Sequence, residues 1–345
     1  MGGFNTLIGQ QRAVRMLCNA LRNRRLPHAL LFTGEHGVGK ATAAFELARF
    51  CNCPGRENQP QEEKHEKAGP WPSSCGGCRS CRKINAGVHP DIYVLRPSGG
   101  YIRIDQIRSI YNSLALKSDT ETTRFVLIED AQLMNREAGN CLLKILEEPP
   151  DSTIFVLIAP GTGDLLPTIV SRCRHIRFSP IPQKDLADYL VSHQGLEHNH
   201  AMVAASLARG SLSRALDMGQ SDWISCRNFI VDLVCQLPDL PAAYRHALAE
   251  MLAGNRDKLE VIFEILKNWY RDLAVFPRSQ KSIYNLDISR QIESSSQQMT
   301  AELVIEKSDA VVRAERALAS NANPRIALDV MLTELARKTP KKKFK

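Results

Sequence analysis

Ala29-Leu-Leu-Phe-Thr-Gly-Glu-His-Gly-Val-Gly-Lys40 is the stretch that decides the fold. The apolar run Ala29 to Phe32 reads as a buried strand, and Gly34-x4-Gly39-Lys40 leads from it into a helix-like segment, Ala41 to Phe50. In that setting the glycines turn backbone N–H groups toward phosphates, the helix N-terminus favours negative charge, and Lys40 neutralises the terminal phosphates. The candidate nucleotide-binding residues are therefore Gly34, Gly37, Gly39, Lys40 and Thr42, with ATP and Mg²⁺ as a candidate ligand pair. A glycine turn that holds nothing is the simpler alternative, and the strand-loop-helix placement argues against it. The motif asks for Ser or Thr directly after the lysine to ligate Mg²⁺. Here Ala41 stands in that place, and Thr42 comes one residue later, rotated about 100° around the helix. Nucleotide binding is expected; magnesium-assisted hydrolysis is less well supported.

Outward from this segment, Ile92 to Leu95, Phe125 to Ile128 and Ile154 to Ala159 are apolar without polar alternation. Such strands belong to a parallel sheet covered by helices on both faces. Helical spacing marks Gln10 to Arg22, Ile104 to Leu116 and Arg136 to Leu146, the last stopped by Glu147-Glu148-Pro149-Pro150. This order predicts an α/β domain over residues 1–180. The third strand runs into Glu129-Asp130, where a carboxylate can hold a metal or orient water, unless both are a solvated strand end. After Pro180-Ile-Pro182 the strand signals stop. Lys184 to Ser192, Ala201 to Ala208, Ser213 to Met218, Ile224 to Gln236, Ala242 to Val275 and Ala301 to Ala336 read as helices, the last interrupted at Asn321-Ala-Asn-Pro324.

No apolar run is long enough for a membrane span, and Met1-Gly-Gly-Phe-Asn5 lacks the start of a secretory signal, so a cytoplasmic protein without a membrane partner is expected. In that compartment the ten cysteines do not suggest disulfides, and Cys75-x2-Cys78-x2-Cys81 suggests thiolate metal ligation. Tetrahedral Zn²⁺ needs a fourth ligand. Cys53 is the first choice, with Cys51 and His65 as competitors across the polar, proline- and glycine-rich segment 54–74, which reads as an exposed loop. Four sulfurs leave no open position, so the site would be structural; a redox dithiol is the competing reading. The net charge of +8 is compatible with a nucleic acid partner without establishing one. Residues 339–345 read as a disordered basic tail.

Together, Arg25-Leu-Pro-His-Ala-Leu-Leu-Phe-Thr-Gly34, the four cysteines and Leu142-Leu-Lys-Ile-Leu-Glu-Glu-Pro-Pro150 resemble the bacterial clamp-loader subunits of DNA polymerase III, an AAA+ family. Ser171-Arg172-Cys173, Gly210-Ser211-Leu212 and Ala322-Asn-Pro-Arg-Ile-Ala-Leu328 extend the likeness, which runs from about residue 4 to 336. The resemblance implies a nucleotide-binding domain over 1–180 with a zinc module at 51–82, a lid over 181–221 and a helical collar over 222–338. It also implies a pentameric ring with gamma/tau-like and delta-like subunits, acting on the sliding clamp and primed DNA. In such rings the arginine of Ser-Arg-Cys reaches ATP held by a neighbour, which assigns that part to Arg172. Without the likeness, Arg172 reads as a surface arginine beside Arg174 and Arg177. Several departures from the hydrolysing relatives point one way: Ala41, the inverted Glu129-Asp130, Ala159-Pro160 in place of polar sensor residues, and Ser213 followed by Arg214. They imply a subunit that completes its neighbour's ATPase site and hydrolyses poorly itself. The alternative is an active ATPase motor subunit, or another DNA-remodelling P-loop ATPase.

Overall fold

The computed structural model describes residues 3–55, 73–115, 122–220, 223–320 and 322–338. His65 with most of the 54–74 loop, Leu116, Asn321 and the 339–345 tail lie outside the described residues. Contacts divide the chain into two compact units: one takes the described residues of Met1–Leu186 with Arg209–Arg214, the other those of Ala187–Ala208 with Ala215–Lys345. The lid expected over 181–221 is thus shared between them.

In the first unit β1 (Ala29–Thr33), β2 (Ile92–Leu95), β3 (Arg124–Ile128), β4 (Thr153–Ala159) and β5 (Arg174–Arg177) form one parallel sheet in the order β2-β3-β4-β1-β5. Its helices are α1 (Gln11–Arg22), α2 (Lys40–Cys51), α3 (Arg79–Asn85), α4 (Ile104–Ala115), α5 (Arg136–Glu147) and α6 (Pro167–Val170). Side chains alternate across each strand. Leu30 and Phe32 therefore pack with Val14, Leu17 and Leu47 on one face, and Leu31 packs with Leu142, Ile145 and Leu157 on the other. With both faces covered, β1 and β4 are buried at every position. β5 escaped the sequence reading because Arg174-His-Ile-Arg177 buries only Ile176 and pairs on one side alone, with β1, so it shows no apolar run.

The second unit is helical. It takes most of α7 (Gln183–Gln194) and α9 (Leu212–Gln220), with α8 (His198–Leu207), α10 (Trp223–Gln236), α11 (Ala242–Ala253), α12 (Arg256–Val275), α13 (Ser289–Gln298), α14 (Ala301–Ala319) and α15 (Pro324–Leu335). The expected single region 242–275 is two helices, parted at Gly254-Asn255. The region 301–336 breaks before Pro324, whose N-cap Asn323 accepts from the N–H groups of Arg325 and Ile326. α13 was not foreseen: only Ile292 and Ser295 are buried in its Ser- and Gln-rich sequence, so tertiary packing rather than pattern supports it. Asp272 on α12 is fully buried and accepts from the backbone of Tyr284 and Asn285 and from Asn285 Nδ2 at 2.8–3.0 Å, which pins the 276–288 connection.

Candidate functional site

The loop between β1 and α2 holds Gly34, Gly37 and Gly39 at φ of +148°, +76° and +97°, values that a side chain disfavours. Its neighbours leave no room for side chains either. A Cβ on Gly34 would come within 2.5 Å of the Phe178 carbonyl oxygen, and one on Gly37 would collide with Ser211 Oγ. Gly34 N–H donates to the Pro160 carbonyl at 3.1 Å, and Leu212 N–H donates to the Gly37 carbonyl at 2.9 Å. The loop is thereby braced from the end of β4 and from the Gly210-Ser211-Leu212 segment.

Lys40 opens α2 and is 8% exposed. Its Nζ donates to the carbonyls of Gly34 at 2.5 Å and Glu35 at 2.7 Å, which uses two of the three ammonium protons and leaves the third for an anion. Burial lowers its pKa, against the opposing charges of Asp130 and Glu35. An anion in the cradle would return the stabilisation that the ammonium loses by leaving water. Ala41 packs on the apolar layer formed with α1, and Thr42 is exposed, so no hydroxyl stands in the position after Lys40.

Glu129 and Asp130, read together as one acidic element, have separate partners. Arg96 donates Nε to Glu129 Oε2 at 2.8 Å and Nη2 to Oε1 at 3.2 Å, a two-pronged pair. Asp130 takes left-handed backbone angles (φ 50°), and of the two it is the one whose field reaches Lys40. Arg96 was missed. It follows β2 directly and meets Glu129 because β2 lies beside β3, a neighbour relation that only the sheet order reveals.

Arg172 follows α6 and is 38% exposed, donating to Glu147 Oε1 at 2.6 Å and to the Thr168 carbonyl at 3.1 Å. Leu30 pairs with Arg174 in the parallel β1–β5 ladder, so Arg172 lies off the amino ends of the strands. Gly34 to Lys40 lie off their carboxyl ends. Within one chain the two cannot share a phosphate.

The sulfurs of Cys53, Cys75, Cys78 and Cys81 all lie within 4.8 Å of one another, and those of Cys75 and Cys81 are 4.0 Å apart. A tetrahedral ion with arms of about 2.3 Å would need sulfur–sulfur edges of about 3.8 Å, so the set can hold a metal ion with little adjustment. Backbone N–H groups support the sulfurs: Cys75 N–H to Cys53 Sγ at 3.3 Å, Cys78 N–H to Cys75 Sγ at 3.3 Å and Cys81 N–H to Cys78 Sγ at 3.4 Å. The N–H groups of Cys78 and Gly77 bring the Cys75 thiol down to about 6, whereas burial raises Cys53 and pushes Cys81 up to about 12. Cys51 remains in the last turn of α2, outside the cluster. A link that the sequence did not suggest ties this knuckle to β2: Ser80 Oγ lies 3.1 Å from His89 Nε2, and His89 Nδ1 accepts from Asp91 N–H at 3.2 Å.

A family model described as "DNA polymerase III, delta subunit" matches residues 9–182. The DNA polymerase III subunit delta' of Bacillus subtilis (strain 168) is 28% identical over 319 residues, covering 91% of this chain and 92% of that protein. The delta' subunit of Escherichia coli (strain K12) is 34% identical over 197 residues, 56% of this chain, and the match spans 55% of the relative's own length. The tau subunit of Bacillus subtilis is 25% identical over 365 residues, 97% of this chain and 61% of that protein. Among solved structures, a DNA polymerase III gamma subunit-related protein from Thermotoga maritima has the same fold, with a TM-score of 0.51 at 17% identity over 94% of this chain and 99% of that one.

Proposed function

Because the chain belongs to the DNA polymerase III delta-prime subunit family, we propose that it is a clamp-loader subunit whose working residue is Arg172, supplied to ATP held by a neighbouring subunit. In this reading it assembles with gamma/tau-like and delta-like subunits in a pentameric ring in the cytoplasm and helps place the sliding clamp on primed DNA. The observation that carries it is the position of Arg172: exposed, off the amino ends of the strands and remote from its own chain's phosphate loop. An arginine supplied in trans neutralises charge that develops on the transferred phosphoryl group, and such groups are worth about 10³ to 10⁵ in rate. Glu147 holds the guanidinium until that partner arrives.

The chain's own loop then binds nucleotide weakly and turns it over poorly. Lys40 and the glycines supply the phosphate cradle, while Ala41 gives no metal hydroxyl and Arg96 occupies the Glu129 carboxylate. The four cysteines hold a structural Zn²⁺, which when bound joins the end of α2 to α3 and leaves no coordination position open for chemistry.

The test is an Arg172→Ala chain reconstituted with its partner subunits. The complex should still assemble and lose most of its DNA-stimulated ATPase. Unchanged turnover would overturn the assignment. The tau likeness keeps a motor subunit as the second reading; it requires the purified chain to hydrolyse ATP with Mg²⁺ and to lose that activity in Lys40→Ala.

A further inference from the structure

No Asp or Glu occurs before Glu35, yet this stretch carries Arg12, Arg15, Arg22, Arg24 and Arg25. All five are exposed. On α1, Arg12, Arg15 and Arg22 project from one stripe about 80° wide and about 15 Å long, opposite the buried Val14, Leu17 and Cys18. The helix then closes with Arg25 N–H donating to the Ala20 carbonyl at 3.0 Å and Arg24 N–H to the Leu21 carbonyl at 3.1 Å. This pattern calls for glycine in the left-handed position. Arg24 occupies it instead at φ 50°, keeping a guanidinium where a Cβ is disfavoured. Arg174 continues the patch, because the β1–β5 register sets it on the same sheet face as Leu30, the face that α1 covers. Among the described residues none of these six guanidinium groups has a carboxylate or hydrogen-bond partner.

We infer that this face binds the phosphate backbone of duplex DNA without reading its sequence. A duplex segment as long as the stripe carries about nine phosphate charges, and arginines gain affinity by displacing the counterions condensed on them. The patch has no aromatic side chain on which unpaired bases could stack, which disfavours a single strand. Its exposed stripe also lacks the apolar residues that would enter a bilayer. The choice of DNA rests on the proposed replication role; the charge argument does not.

The test measures fluorescence anisotropy of the full-length chain alone with a labelled duplex, so that ring assembly and ATPase are not involved. Three lost phosphate contacts lower the slope of log affinity against log salt by about 2.7. Between about 50 and 200 mM salt the unaltered chain should therefore lose about 40-fold more affinity than an Arg12→Gln/Arg15→Gln/Arg22→Gln chain. The corresponding triple Lys variant should bind within about threefold of the unaltered chain, since the contact is to charge alone. Circular dichroism melting of both variants checks that they fold. An unchanged salt slope in the Gln variant overturns the inference. So does equal binding of a single strand, or a binding loss seen only with anionic vesicles or an acidic partner protein.

Discussion

The phosphate loop and the cysteine knuckle lie within one unit and are built from the same device, backbone N–H groups arranged around a charge, but they differ in completeness. The knuckle has all four sulfurs within reach of one ion, three of them supported by N–H groups. The loop keeps its glycines and Lys40, with Asp130 in reach of the ammonium's field, but Ala41 stands where a metal-binding hydroxyl would and Glu129 is paired with Arg96. A shaped N–H cradle and the groups that would act on what it holds are thus set by different residues, so the one can be present without the full set of the other.

The comparison breaks most readily at the knuckle. Cys81→Ser should remove tightly bound metal, which in small zinc modules is worth about 10–16 kcal/mol of apparent binding free energy at pH 7. Metal analysis of freshly purified protein should find zinc near one per chain in the unaltered protein and little in the variant. Retention of zinc by the variant would show that the fourth sulfur is dispensable. At the loop, Gly37→Ala combines positive φ with a collision at Ser211 and should cost about 1–3 kcal/mol, read as a lower midpoint in urea. No change would mean that the Ser211 segment does not brace the loop.

The smallest effect is a pH dependence. Burial lowers the pKa of Lys40, so between its folded value and the usual 10.5 the unfolded chain binds the proton more tightly. The cost of the buried ammonium is fully present below the folded value and fades as pH rises toward 10.5. The unaltered chain should therefore gain stability relative to Lys40→Met across that window, measured by denaturant titration at several alkaline pH values. A fixed difference would mean that Lys40 keeps its ordinary pKa.

The parts legible in advance were those in which local pattern and tertiary role coincide. β1, β3 and β4 carry long apolar runs because both of their faces are covered, β2 was legible from its own apolar run although it is an edge strand, and the loop announces itself because only glycine tolerates its angles. β5 and α13 were hidden for the converse reason: one is a polar edge strand and the other is held by two buried residues. Arg96 was hidden because its partner is set by sheet order.

By itself, the sequence determined the parallel α/β domain, the helical second half, the phosphate cradle and the Cys75-x2-Cys78-x2-Cys81 spacing, because each rests on the period or chemistry of neighbouring residues. Only the tertiary structure decided that Arg172 and Lys40 lie at opposite ends of the strands, that Glu129 belongs to Arg96 and Asp130 to the field of Lys40, and that Cys53 rather than Cys51 joins the sulfur cluster. Each of these depends on which strands lie side by side and on how a helix ends. Those relations between distant segments leave no trace in local pattern.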